Sequence, residues 1–167
     1  MEHIETQIQD KFGGRLRTRV NGVLIENDKI LMIKHRMSSS RVFWNVPGGG
    51  MEFGSSITMN LEREFLEETG LEVETGEFLG VTEFLEPPLH AVELYFEVKL
   101  KKGRLALGTD PELEGHQQLL EELKFMDIKE IQAIPRAEKH QYFWNINSTK
   151  DVRIWKGYFN FENKCIK

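Results

Sequence analysis

Residues 47–71 constrain this chain more than any other stretch, because they set a tight loop, a helix and a stop in immediate succession. Pro47-Gly48-Gly49-Gly50 breaks regular structure, and Ser55 or Ser56 then stands where a helix N-cap belongs. Gly70 supplies the stop, so the spacing predicts a helix running to about Thr69. Ile57, Leu61 and Phe65 recur at i+4 and give that helix a buried stripe.

The flanks read mainly as strands. Arg15 to Arg36 divides into two, with Asn27-Asp28 as the tight turn between them. In the second, Ile30, Met32 and Lys34 alternate with Leu31, Ile33 and His35, the pattern of a strand buried on both faces. Phe43–Val46 leads into the glycine break. Further strands are expected around Glu77–Leu85 and Ala91–Lys101, on either side of Pro87-Pro88, and over Leu119–Met126. Asp127 opens a short helix to Ala133, and Pro135 begins a last helical segment. Gly13-Gly14 closes a polar N-terminal segment, and Gly108–Gln117 forms a long polar loop of the kind that often carries function. Val152–Phe161, rich in β-branched and aromatic residues, reads as an edge strand or a dimer contact. Strands mixed with a few helices indicate an α/β or α+β sandwich.

The 167 residues suit one domain, and 40% hydrophobic with 29% charged residues is a globular balance. No run approaches the ~18–20 apolar residues of a membrane span. Met1-Glu2-His3-Ile4-Glu5 lacks the features of a signal peptide, so a cytoplasmic location is expected. The lone Cys165 cannot form an internal disulfide. With 22 basic against 27 acidic residues, net −5, no bulk nucleic-acid or membrane partner is expected.

On the predicted helix, Glu64, Glu67 and Glu68 stand at i, i+3 and i+4, on one face. Such carboxylates repel one another by a few tenths of a kcal/mol per exposed pair, roughly. A hard divalent cation, Mg²⁺ or Mn²⁺, reverses that sign. Arg63 can pair with Glu67 at i+4, and the glycine loop lets backbone groups approach an ion and a substrate closely. Taken alone, an acidic helix is usually a solvated face and a triple glycine usually a turn; it is their joint spacing that points to chemistry.

That spacing resembles the box of the Nudix hydrolase family, G-x5-E-x7-R-E-U-x-E-E-x-G-U, where U is a bulky apolar residue. Gly49, Arg63, Glu64, Phe65, Glu67, Glu68, Gly70 and Leu71 fall in register, and Ser55 replaces the first Glu. The family uses that Glu mainly to support the loop and helix, and Glu52 is the nearby residue that could compensate. The resemblance runs from about Arg17 to Gln132. It implies an α/β/α sandwich with a mixed β-sheet: one domain over 1–167, core about 15–135, and 136–167 as an extension that completes the fold or makes a homodimer contact. It also implies hydrolysis of a nucleoside diphosphate linked to another moiety. Glu64 and Glu68 would be the principal ligands of Mg²⁺ or Mn²⁺, with Glu67 joining directly or through water and the Gly49 carbonyl adding an oxygen.

In this family the general base comes from the box or from a glutamate on a later loop; here Glu112 is the first loop candidate and Glu114 the second. Lys34, His35, Arg36 and Arg41 precede the box and either meet phosphates or solubilise a strand end; Arg36 and Arg41 are the substrate candidates. Trp44 reads as core packing before base stacking, and His90 and His116 as isolated surface residues. Pro87-Pro88, 16 residues after Leu71, resembles the spacing in an ADP-ribose-preferring subgroup, a weak discriminator against nucleotide sugars, nucleoside triphosphates and dinucleoside polyphosphates. A P-loop fails because Ser55 stands where its lysine belongs, and a dinucleotide fingerprint fails at Phe53. The rival reading is a non-catalytic Nudix domain that senses a nucleotide. Ser55 favours it; three crowded carboxylates argue against it.

Overall fold

The computed structural model describes residues 2–109, 119–154 and 158–159. After helix α1 (Glu2–Phe12) come β1 (Leu16–Glu26), β2 (Lys29–Arg36), β3 (Val42–Asn45) and β4 (Gly48–Gly50). Then follow α2 (Ile57–Thr69), β5 (Leu71–Glu86), β6 (Leu89–Gly103), β7 (Leu120–Met126) and α3 (Ile128–Ala133). Two 3₁₀ turns (Arg136–Glu138 and Gln141–Phe143), α4 (Asp151–Ile154) and β8 (Tyr158–Phe159) complete the described chain.

The strands form a mixed sheet in the order β3-β2-β1-β6-β5-β8, with β4 paired to β1 and β7 to β2. β1 runs parallel to β6, with Val20 opposite Leu94, while β1–β2 and β5–β6 are antiparallel. The β1–β2 hairpin turns on Asn27 (φ 51°) and Asp28 (φ 58°), the left-handed pair a primed turn requires. The period of two along the strands sorts side chains into two cores. Val20, Leu24 and Leu31 pack with Leu61 and Phe65 of α2. Val23, Ile30 and Met32 point the other way, onto Trp44, Tyr95, Tyr142 and Phe143. Helix α2 thus covers one face and the segment after β7 the other, the expected α/β/α sandwich.

Several elements depart from the sequence reading. The glycine break is itself strand: Gly48–Gly50 lies along β1, and a Cβ at Gly48 would sit 2.1 Å from the Val20 carbonyl oxygen. β5 starts at Leu71, directly after the helix stop, with register shifts that absorb its polar 74–78 stretch. The polar N-terminal segment is α1, whose Ile4, Ile8 and Phe12 form a narrow i+4 stripe against Met37, Leu89 and Leu119. The segment from Pro135 is two short 3₁₀ turns. In the tail, Asp151–Ile154 are helical and, among the described residues, Tyr158–Phe159 pair as an edge strand beside β5; residues 155–157 and 160–167 lie outside the description. Most of the expected loop, residues 110–118 with Glu112, Glu114 and His116, also lies outside it. Among the described residues no helix is long and apolar enough to cross a membrane.

Candidate active site

Caps at both ends fix α2 against β4. Ser56 accepts the Met59 N–H at 3.2 Å, and Gly70, at φ 71°, returns its own N–H to the Leu66 carbonyl. Asn60, fully buried, ties the loop down: its Nδ2 donates to the Gly50 carbonyl at 3.0 Å and its Oδ1 accepts the Glu52 N–H at 3.1 Å.

Glu64 and Glu68 sit on the face of α2 turned to Gly48–Gly50, and Glu67 lies beside them on Arg63. Glu68 is buried, and its Oε2 accepts the Gly48 N–H at 2.9 Å. Glu64 lies under Gly49: an added Cβ there would fall 2.2 Å from the Glu64 Cδ. Only glycine leaves room for that carboxylate. Arg63 spans the group, donating to Glu67 at 2.6 Å and to Glu64 at 2.7 Å. Glu52 reaches the same guanidinium at 3.2 Å, while the Ser55 hydroxyl turns to the Ser56 carbonyl. A carboxylate three residues upstream of the substituted position thus supports Arg63.

Burial raises the proton affinity of Glu64, and Arg63 and Arg19 oppose it; the carboxyl stands above its ordinary value. Among the described residues, no three His, Cys, Asp or Glu side chains converge as ligands of a metal ion. The reason is electrostatic: Arg63 draws Glu64 and Glu67 to itself, which is how protein charge alone relieves their repulsion. The donor set is nonetheless all oxygen, the chemistry of Mg²⁺ and Mn²⁺, and the Cβ-free space at Gly49 opens onto it. Glu64, Glu67, Glu68 and the Gly49 carbonyl are the groups that could hold such a cation.

From β4 a cleft runs between the strands. Arg17, Arg19, His35, Phe43, Phe84 and Glu93 line it, and Ile8 and Phe12 of α1 close its far side. Arg17 stacks over Phe12 at 4.3 Å. Arg19 donates to the Gly48 carbonyl at 3.1 Å and stands 3.6 Å from Glu93. His35 is pushed down to about 4 by burial and by Arg19. Burial alone would raise the Glu93 carboxyl, but His140 and Arg19 hold it below its ordinary value.

Gly49, Arg63, Glu64, Glu67 and Glu68 are therefore brought together. Arg36 and Arg41 are not: Arg36 pairs with Glu121 at 2.5 Å, Arg41 with Glu86, and neither lines the cleft. Lys34 pairs with Glu121 and Glu122, and Trp44 is core. His90 is half-buried on Glu83 and lines the cleft. Among the described residues, the arginines that line it are Arg17 and Arg19, with Arg63 at the glutamate end. The alternation of Arg15, Arg17 and Arg19 along a strand was the signal for Arg17 and Arg19, since such residues share one face. Glu93 and His140 carry no local signal, and meet only through the fold.

The NUDIX domain family model matches residues 15–144 of this chain. The chain belongs to the Nudix family. An ADP-ribose pyrophosphatase of Methanocaldococcus jannaschii is 28% identical over 139 residues, covering 82% of this chain and 73% of that protein. A human 8-oxo-dGDP phosphatase is 38% identical over 74 residues, 41% of this chain and only 23% of its own length. Among solved structures, a MutT protein from Methanosarcina mazei matches the fold with a TM-score of 0.61 at 18% identity, over 77% of this chain and 87% of that one.

Proposed function

We propose that this chain hydrolyses the pyrophosphate linkage of a nucleoside diphosphate joined to another moiety, with Mg²⁺ or Mn²⁺ held by Glu64, Glu67, Glu68 and the Gly49 carbonyl. The observation that carries the reading is the pair of carboxylates, Glu64 and Glu68, that α2 presses against β4, where the close approach of Gly48 and Gly49 leaves them room. When bound, the cation supplies charge neutralisation on phosphate oxygens and lowers the pKa of a water. Glu68 holds the loop through the Gly48 N–H, and Arg63 orients Glu64 and Glu67. Arg17 and Arg19, at the phosphate end of the cleft, suit bidentate recognition of phosphate, and they replace Arg36 and Arg41 in that role. In-line attack at phosphorus then needs positioning more than covalent catalysis. The proton acceptor is drawn from the box or from Glu112, and Glu112→Gln separates the two: a large loss of kcat assigns it to the loop.

ADP-ribose heads the substrate candidates because a relative matched along most of both chains carries that name. The rest of the proposal is a cytoplasmic enzyme of small nucleotides, consistent with net −5, with a homodimer as the assembly to test by light scattering. The decisive experiment is product release from ADP-ribose, nucleotide sugars, 8-oxo and ordinary nucleotides and dinucleoside polyphosphates, with Mg²⁺, Mn²⁺ or EDTA. Metal-dependent turnover supports the enzyme. Silence together with a nucleotide-induced rise in melting temperature would favour the sensor.

A further inference from the structure

Glu93 lies on β6, almost fully buried, at the end of the cleft beyond Arg19. A buried carboxylate is costly, and apolar residues of similar volume commonly replace one without loss of stability. This one is built in with care. Its Oε2 takes the His140 Nε2 at 2.5 Å and the Thr82 hydroxyl at 3.4 Å. The His140 Nδ1 accepts the Tyr142 backbone N–H at 3.1 Å and lies 3.0 Å from the Tyr95 hydroxyl. With Nδ1 accepting, the ring proton sits on Nε2 and points at Glu93. Among the described residues the nearest cation to Oε1 is Arg19, at 3.6 Å, outside hydrogen-bond reach. One oxygen is therefore saturated, while the other borders the cleft with acceptor capacity to spare.

The surroundings say what it would accept from. Phe43 and Phe84 meet edge to face on the cleft wall, with ring centroids 5.8 Å apart, and His140 lies against both rings. Arg19 links this end to Gly48, so the carboxylate stands one guanidinium beyond the phosphate end. Aromatic walls with a fixed anionic acceptor fit a nucleoside that offers N–H or O–H donors. We propose that Glu93 selects the nucleoside half of the substrate by accepting hydrogen bonds from a base amino edge or a ribose hydroxyl, and that His140 is its positioning residue. The inference takes the substrate class from the hydrolase reading above but does not need the chemistry to proceed.

The test is equilibrium binding in EDTA, measured by calorimetry on two ligand pairs. GDP against IDP removes the exocyclic amino group, and ADP against dADP removes a ribose hydroxyl. Wild type should prefer the donor-bearing member of one pair by roughly tenfold to a hundredfold, the range for a hydrogen bond to a charged group. Glu93→Gln should abolish that preference, and His140→Asn should reduce it while the other pair stays unchanged. Glu93→Asp retains the charge but withdraws the acceptor, so it carries the test if the Gln variant fails to fold. No preference in wild type, or a preference that survives both Glu93 variants, overturns the proposal. Absence of hydrolysis with the binding preference intact would instead sink the hydrolase reading alone.

Discussion

Gly49→Ala separates the stability of this fold from the geometry of its site. The new Cβ would lie 2.2 Å from the Glu64 Cδ and 2.4 Å from each carboxylate oxygen. Ordinary contacts need about 3.5–4.0 Å, so the carboxylate must retreat by more than about 1 Å. It can do so, because it ends a flexible side chain. The retreat breaks the 2.7 Å hydrogen bond to Arg63, whose side chain is 32% exposed. A charge-assisted bond at such a partly solvated site stabilises by about 1 kcal/mol, which lowers Tm by about 2–4 °C in a chain of this size. Activity should fall far more, since a misplacement of about 1 Å costs on the order of 100-fold. Gly48→Ala is the contrasting variant. Its Cβ would meet the Val20 carbonyl oxygen at 2.1 Å and the Asn21 Cα at 2.7 Å. Backbone cannot swing aside without parting β4 from β1, so a loss of about 3 kcal/mol or more is expected. Thermal melts and metal-dependent hydrolysis, run side by side, read both effects. Wild-type turnover in Gly49→Ala, or instability equal to that of Gly48→Ala, would show that the Glu64 carboxylate does not depend on glycine at 49 in this way.

Three further outcomes are expected. Glu68→Gln keeps the shape and the Gly48 contact but removes the charge, so turnover should drop at least about 100-fold with Tm nearly unchanged; normal turnover would remove Glu68 from the site. Ser55→Glu should alter stability by less than about 1 kcal/mol and preserve or raise activity, because Glu52 already supports Arg63; a clear drop would show a site adapted to serine. His35, at about 4 in the fold against 6.5 unfolded, binds fewer protons in the native state across that window. Stability should therefore fall by about 3 kcal/mol as pH drops from 6.5 to 4. Urea midpoints at pH 7 and pH 4 should show His35→Asn cutting that fall, and an unchanged fall would contradict the assignment.

The parts of the molecule legible in the sequence are those set by local rules. Ser56 and Gly70 bound α2 because caps are chemical, and Asn27-Asp28 turn the hairpin because few residues accept φ above zero. The carboxylate face followed from helical period alone, as did Arg63 beside Glu67. What escaped was non-local. Three glycines look like a break until β1 is present for them to lie against. Arg36 and Arg41 precede the box in sequence, yet they pair with Glu121 and Glu86, whereas Arg17 and Arg19 line the cleft from β1. His140 is separated from Glu93 by 47 residues, and only the sandwich closes that distance.

Glu64, Glu67 and Glu68 are proposed to bind a divalent cation, whose charge Arg63 otherwise supplies by pairing with Glu64 and Glu67. Electron paramagnetic resonance of free Mn²⁺ tests it without reference to turnover. Titrating the full chain should remove the free Mn²⁺ signal, and the triple variant Glu64→Gln, Glu67→Gln, Glu68→Gln should leave that signal intact while still folding. Equal Mn²⁺ uptake by the folded triple variant and the wild type would show that these carboxylates are not the cation site.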